Sequence, residues 1–264
     1  MNVLDFQAKK ISNEKITMVT CYDYTSAKLL AKTDVDCVLV GDSVAMTMHG
    51  FKDTLSATLE MMCWHVAAVS RGIGEKFVVA DMPFLSYRKS LSENIEAVCA
   101  LMQAGAHAIK LECADGNLDL IRHLTQSGVP VMGHLGLTPQ FVNVLGGYRV
   151  QGKTEEAAVK LKEDALNLQD AGCFGIVLEC VPSELAKEVT HLLSIPTIGI
   201  GAGADTDGQV LVFQDLLGLN VDFKPKFVKT FVDGFDALKS GLDRYVHAVK
   251  SGEFPSHENS FENR

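Results

Sequence analysis

Four short apolar runs of this 264-residue sequence each end at or next to an acidic residue. The acids that close these runs are Asp42, Asp81, Glu112 and Glu179. Carboxylates that meet at one place can hold a hard cation through their oxygens, and one of them can accept a proton from a substrate. The pattern therefore indicates metal-assisted acid–base chemistry.

The elements that would carry these acids alternate along the chain. Runs of four or five apolar residues read as strands buried on both faces, and helical stretches separate them. In a parallel α/β barrel the chemistry lies at the C-terminal ends of the strands, and about 250 residues is a usual length. We therefore predict an α/β protein, a single (β/α)8 TIM barrel over residues 1–264 with its active site at the strand C-termini. Residues 251–264 are expected to form a polar tail.

Three of the acids, Asp42, Asp81 and Glu112, would converge at the barrel mouth. Carboxylates at close range cannot all stay ionised without a positive partner. Mg²⁺ is the usual cation for such an oxygen set, and neutralisation by Lys110 alone is the alternative. Lys110 precedes Glu112 by two positions, so both side chains point to one face of a strand. They form either an internal ion pair or the lining of a cavity, and the neighbouring acids favour the cavity.

A Mg²⁺ ion with few protein ligands leaves positions for a chelating substrate, and an α-keto acid offers its carboxylate and ketone oxygens. Chelation would polarise the ketone and stabilise an enolate. Glu179 lies on a different strand and is then available as the base. His134 ends the fifth predicted strand and is either a hydrogen-bonded core histidine or a substrate contact.

Several other residues have a structural and a functional interpretation. Seven cysteines form no Cys-x-x-Cys pair, so neither disulfides nor a zinc site is indicated, although Cys113 and Cys180 follow strand-end acids and could be nucleophiles. Asp23 is interpreted as a helix cap. Alternating glycines over residues 199–203 either cradle a phosphate or allow tight packing.

Three predictions concern elements rather than single groups. Residues 210–213 form either the eighth strand or an apolar helix, because periodicity does not separate the two in a short run. In the helix predicted over residues 59–69, the methionines and Trp64 are expected to face the core. The long loops 44–58 and 138–154 exceed what a connection needs and are expected to be functional.

Composition excludes several classes of protein. The net charge of -9 and the scattered lysines argue against nucleic-acid binding. The sequence contains no apolar run long enough to span a bilayer, and residues 1–7 lack the features of a signal peptide, so we expect a cytoplasmic enzyme without membrane partners. An apolar stripe on the helix predicted over residues 235–250 suggests a homo-oligomer.

Six segments together resemble the ketopantoate hydroxymethyltransferase family. They are Val40-Gly41-Asp42-Ser43, Ala80-Asp81-Met82-Pro83-Phe84, Lys110-Leu111-Glu112, Gly133-His134-Leu135-Gly136-Leu137-Thr138-Pro139-Gln140, Gly147-Tyr148-Arg149-Val150-Gln151-Gly152 and Leu178-Glu179-Cys180-Val181-Pro182. The resemblance implies a barrel of the phosphoenolpyruvate/pyruvate superfamily. Its expected reaction transfers the one-carbon unit of 5,10-methylenetetrahydrofolate to 3-methyl-2-oxobutanoate, in pantothenate biosynthesis.

The resemblance also implies roles for the matching residues. Asp42 and Asp81 match Mg²⁺ ligands that also contact substrate, and Glu112 matches a third acid of that site. Ser43 and Lys110 match substrate contacts, and Glu179 matches the proton acceptor; a decamer is the assembly the family suggests. Two departures, Ala57 for proline in a loop and Asn259 for histidine in the tail, lie away from these residues.

Two other functions stay open on the sequence. A Mg²⁺-dependent carbon–carbon lyase or mutase of the same superfamily would use the same acids and an enolate. A non-catalytic metabolite-binding barrel would explain the acid cluster but not Glu179. The sequence assigns no residue to the folate.

Overall fold

Eight parallel strands close into a barrel in the computed structural model, which describes residues 1–221 and 224–261. The strands pair in chain order, and β8 pairs with β1. Their bounds are β1 Ile16–Thr20, β2 Cys37–Val40, β3 Phe77–Asp81, β4 Ala108–Glu112, β5 Val131–Gly136, β6 Gly175–Glu179, β7 Thr197–Ile200 and β8 Gly208–Leu211. The predicted (β/α)8 fold is confirmed.

Nine α-helices lie within residues 1–212, the first compact unit of the chain. They are α1 Val3–Ile11, α2 Tyr24–Leu30, α3 Val44–Thr47, α4 Leu59–Gly72, α5 Leu91–Ala104, α6 Leu118–Gln126, α7 Val142–Leu145, α8 Glu155–Asp170 and α9 Ser183–Leu192. Short 3₁₀ helices cover Thr54–Ser56 and Pro139–Phe141, within the two long loops.

Local sequence signals set several of these helix boundaries. Asp23 caps α2, accepting a hydrogen bond from the Ser26 backbone N–H at 2.9 Å, as predicted. Ser90 and Glu93 form a capping box at the start of α5. Gly105 ends that helix at φ +116°, where a side chain would be strained. The sequence therefore determines these boundaries locally.

The N-terminal end of the barrel is closed by Phe6 of α1. Its ring is fully buried and meets the rings of Phe77 and Phe174 edge-on, at centroid distances of 5.4 and 5.1 Å. Both partners lie at strand N-termini, so Phe6 fills the base of the barrel core. A barrel filled at this end leaves its C-terminal end to receive a ligand.

Two predictions about elements need correction or completion. The eighth strand begins two residues earlier than residues 210–213, because Gly208 packs so closely on β1 that a Cβ would lie 2.5 Å from the Ile16 carbonyl oxygen. Phe213 begins a helix, so each alternative holds for part of the segment. Trp64 of α4 does not face the core as predicted, since its side chain is 70 % exposed.

The second compact unit begins at Phe213. It contains α10, Phe213–Leu216, α11, Gly234–Ser251, and a 3₁₀ helix at His257–Asn259. The predicted tail starts where α11 ends, and its residues 262–264 lie outside the described part of the chain. A single domain over residues 1–264 stays a prediction.

Candidate active site

The acids predicted at strand ends all lie at the C-terminal rim of the barrel. Asp42 is the second residue after β2, and Asp81, Glu112 and Glu179 are the last residues of β3, β4 and β6. His134 lies in β5, between the strands of Glu112 and Glu179. The fold therefore brings together residues that are up to 137 positions apart, from Asp42 to Glu179.

Lys110 pairs with an acid of the neighbouring strand. In the β3–β4 register Lys110 lies opposite Asp81, and its Nζ is 2.9 Å from Asp81 Oδ1. Both side chains are buried. The structure thus replaces the simple Lys110–Glu112 pair considered from the sequence by an ion pair between strands, within a larger polar cluster.

Asp42 and Asp81 are joined through the backbone. The Asp42 N–H donates a hydrogen bond to Asp81 Oδ2 at 3.1 Å. A Cβ on Gly41 would lie 2.8 Å from Ser43 Oγ, so a side chain at this position would press on the Ser43 hydroxyl group. The glycine that ends the β2 run therefore leaves room for Ser43.

The cluster carries more negative than positive charge. Burial, followed by the charges of Asp81 and Glu112, holds the pKa of Asp42 well above its ordinary range. Burial is also the main cause that raises the pKa of Glu112, to about 8. Burial alone would lower the pKa of Lys110, but the surrounding carboxylates raise it above its ordinary value. One ammonium group thus faces three carboxyl groups in a buried site, and these do not all ionise without a further positive charge.

This donor set fits a hard divalent cation. The clustered groups are carboxylate oxygens, and the excess negative charge is what such a cation would neutralise. Within residues 1–221 and 224–261, however, no three His, Cys, Asp or Glu side chains are arranged to hold one ion together. Glu112 directs Oε2 to the Gln140 backbone N–H at 3.0 Å. Asp42 and Asp81 therefore stay predicted ligands, with Glu112 as a third acid of the site.

His134 connects Lys110 with Glu179. Its Nδ1 lies 3.1 Å from Lys110 Nζ, and its Nε2 lies 3.3 Å from Glu179 Oε2. An ammonium group only donates, so Nδ1 accepts and the proton of the neutral ring is on Nε2, facing Glu179. Burial and then the charge of Lys110 lower the pKa of His134, consistent with a neutral ring. The sequence left His134 as either a core histidine or a substrate contact. In the structure it contacts Glu179, the predicted base.

Ser43 is held by a tyrosine that sequence reasoning missed. The hydroxyl groups of Tyr22 and Ser43 lie 2.7 Å apart, and Tyr22 is buried directly after β1. Burial raises the pKa of Tyr22 to about 12, so its hydroxyl group stays protonated. Its position just beyond a strand end is the sequence signal that could have identified it.

Gln140 and Tyr87 were also missed. Gln140 lies on the 3₁₀ helix after β5, contacts both Asp42 and Glu112, and receives a hydrogen bond from Tyr87. Gln140 ends the longest segment of the family resemblance, so the sequence did point to its neighbourhood. Nothing in that segment indicated contact with Asp42.

The two cysteines considered as nucleophiles lie outside this cluster of contacts. Burial raises the pKa of both Cys113 and Cys180 to about 11, which disfavours the thiolate. Cys113 lines a cavity of about 450 Å³ between α8 and the loops after β4 and β5. In the glycine segment, a Cβ on Gly199 would lie 2.7 Å from Thr206 Oγ1, which favours the packing interpretation there.

The two long loops meet. Tyr148 of the loop after β5 places its hydroxyl group 3.9 Å from Met46 Sδ in the loop after β2. Burial is the main cause that raises the pKa of Tyr148, with smaller contributions from Asp53 and Glu179. The loops that were expected to be functional thus contact each other near the strand ends that carry the acids.

Known proteins of similar sequence cover nearly the whole chain. Residues 1–257 match the family described as ketopantoate hydroxymethyltransferase. The chain is 60 % identical over 259 residues to the 3-methyl-2-oxobutanoate hydroxymethyltransferase of Bdellovibrio bacteriovorus, covering 98 % of each protein. It is 58 % identical to the enzyme of the same name from Coxiella burnetii, over 97 % of this chain and 96 % of that one.

Solved structures share the fold at low sequence identity. Phosphonopyruvate hydrolase in complex with oxalate and Mg²⁺ superposes with a TM-score of 0.63 at 10 % identity, over 98 % of this chain and 93 % of that chain. 2,3-Dimethylmalate lyase, of the PEP mutase/isocitrate lyase superfamily, gives a TM-score of 0.57 at 16 % identity, over 96 % and 88 %. With the barrel and its acid rim described, the sequence match is decisive: this chain belongs to the ketopantoate hydroxymethyltransferase family.

Proposed function

We propose that the protein transfers a hydroxymethyl group to 3-methyl-2-oxobutanoate, with 5,10-methylenetetrahydrofolate as the one-carbon donor, to give ketopantoate. The observation that carries the proposal is a continuous chain of contacts, buried except at partly exposed Glu179. It runs from Asp81 through Lys110 and His134 to Glu179, with steps of 2.9, 3.1 and 3.3 Å. One end can bind a cation and the other can accept a proton, which is what enolisation of a keto acid requires.

Substrate binding is assigned to the acid end of this chain. Asp42 and Asp81 would hold Mg²⁺, with Glu112 supporting them, and the keto acid would complete the coordination. Bound Mg²⁺ would polarise the ketone and stabilise the developing enolate charge. Lys110 adds a fixed positive charge at the same place, and Ser43, held by Tyr22, offers a hydroxyl group to the substrate.

The proton transfer is assigned to Glu179. Its carboxylate takes the C3 proton of the keto acid, and the electrons of that C–H bond become available to form the new C–C bond. His134 Nε2 lies 3.3 Å from Glu179 Oε2, so the ring borders the carboxylate that would take the proton. The overall reaction consumes water, because the methylene group of the folate carries no oxygen and the product carries a hydroxyl group.

The test is a turnover assay with both substrates. We expect ketopantoate and tetrahydrofolate in equal amounts, loss of activity with a chelator and recovery with Mg²⁺. Full activity in metal-free protein would contradict the roles of Asp42 and Asp81. Cleavage of a hydroxy or keto diacid without folate would instead support the lyase alternative.

Other expectations stay predictions. Residues that hold the folate are unassigned, and the cytoplasmic location rests on the sequence alone. No helix within the described ranges has the length and apolar character needed to span a bilayer. A homo-oligomer is supported by Phe235, Leu238, Leu242 and Tyr245, whose spacing places them on one face of α11.

A further inference from the structure

Gln140 connects two acids that lie on strands without mutual contact. Its side-chain Nε2 donates to Asp42 Oδ2 at 2.8 Å, and its backbone N–H donates to Glu112 Oε2 at 3.0 Å. Asp42 follows β2 and Glu112 ends β4, and β3 lies between these strands. Gln140 is only 4 % exposed, so both contacts are made away from bulk water. A single neutral residue thus fixes acids from both sides of Asp81.

The orientation of the Gln140 amide is determined by its surroundings. Oε1 lies 2.7 Å from the hydroxyl group of buried Tyr87, which donates to it. Nε2 also lies 2.9 Å from the Met82 carbonyl oxygen, an acceptor only. With Oε1 bound by Tyr87, both amide hydrogens are used, one by Met82 and one by Asp42. A flipped amide would set oxygen against oxygen at both places, so the Met82 carbonyl keeps the donor directed at Asp42 and Tyr87 adds a hydrogen bond to the amide oxygen.

We propose that Gln140 is a positioning residue of the metal site, whose side-chain amide holds Asp42 as a cation ligand and is itself held by Met82 and Tyr87. The inference rests on the proposed function, because that function requires the cation. By occupying Oδ2, the amide restricts rotation of the Asp42 carboxylate. Outer residues that orient metal ligands typically contribute 10- to 100-fold in metal affinity, and a fall of about that size is expected here.

Gln140 contacts Asp42 through its side chain and Glu112 through its backbone, so a substitution can remove the first contact and keep the second. Gln140→Met keeps the length of the side chain and the backbone N–H that binds Glu112, but it removes the amide. The matched control is Gln103→Met, at an exposed position of α5. Binding of Mn²⁺ to the whole protein is followed by the electron paramagnetic resonance signal of the free ion, without substrates. We expect Gln140→Met to bind Mn²⁺ about 10- to 100-fold more weakly and Gln103→Met to match the parent protein.

Kinetics separate positioning from a general loss of structure. If Gln140 positions a ligand, the Mg²⁺ concentration needed for half-maximal activity should rise by a similar factor in Gln140→Met, and kcat should recover toward the parent value at saturating Mg²⁺. A purely structural defect would lower kcat at every Mg²⁺ concentration. Unchanged Mn²⁺ affinity in folded Gln140→Met overturns the inference, as does a kcat that added metal does not restore.

A second variant covers the case in which Gln140→Met does not fold. Tyr87→Phe removes one of the hydrogen bonds that hold the amide in place, so Mn²⁺ binding should weaken by about 2- to 10-fold, the value of one neutral hydrogen bond. Unchanged affinity in Tyr87→Phe then overturns the inference. A parent protein that binds no Mn²⁺ would reject the metal site itself, which distinguishes failure of the proposed function from failure of this inference.

Discussion

Replacing Glu179 by glutamine should slow the exchange of the C3 hydrogen of 3-methyl-2-oxobutanoate with solvent deuterium. If the bound keto acid is enolised by Glu179, this exchange does not require the folate, because only the later C–C bond formation uses it. The parent protein should therefore exchange the C3 hydrogen when keto acid and Mg²⁺ are present alone. Loss of the C3 proton signal in deuterated buffer, followed by NMR, measures the rate directly.

The size of the effect follows from what the substitution changes. Glutamine keeps the length of the side chain and an oxygen that can accept from the His134 Nε2–H, which is 3.3 Å from Glu179 Oε2. It removes the negative charge and, with it, the ability to take a proton. A positioned general base contributes about 10²- to 10⁴-fold, so the barrier should rise by about 2.7–5.4 kcal/mol. Keto acid binding should change much less, because the acid cluster, Ser43 and Lys110 remain.

The matched control is Glu163→Gln, at an exposed position of α8, which should exchange at the parent rate. Exchange at the parent rate in Glu179→Gln would refute the assignment of the base. His134 would then be the next candidate, since its ring borders the same space. A large loss of keto acid affinity in Glu179→Gln would also contradict the reasoning, because Glu179 would then act in binding.

Three further perturbations have defined expectations. Phe6→Ala should lower the free energy of unfolding by about 3–5 kcal/mol in urea titrations, because it empties the base of the barrel, and Phe6→Leu should cost less. Gly136→Ala should lower both the stability of the protein and its exchange activity. Gly136 has φ +92°, and the new Cβ would lie 2.2 Å from the Glu179 carbonyl oxygen. A variant that exchanges at the parent rate would contradict this contact. Leu238→Glu should reduce the mass measured by light scattering if α11 joins subunits, whereas a parent protein that is already monomeric would reject the oligomer.

The barrel was predictable because its signals are local. Most strands are short apolar runs, and in four of them the acid at or near the end marks the strand end without knowledge of any partner. Helix caps such as Asp23 and Ser90 act within three residues, so their roles could also be inferred from sequence. Once a parallel barrel was predicted, its topology placed the acids at one rim.

The wrong prediction for Trp64 shows where local reasoning ends. Periodicity indicates that α4 has an apolar face, but it does not determine which large side chains that face includes. The register and the spacing of neighbouring elements decide which face is covered, and the structure leaves Trp64 exposed. The start of β8 was missed for a related reason. Gly208 belongs to the strand because it packs closely on β1, and its residue type carries no apolar signal.

The sequence by itself determined which residues could do chemistry and on which strand ends they stand. Only the tertiary structure decided how they contact one another: Lys110 pairs with Asp81 across strands, and His134 orients toward Glu179. Gln140 reaches Asp42 from 98 positions away. Such contacts depend on strand register and on the direction of individual side chains, and neither is encoded in the spacing of residues along one segment.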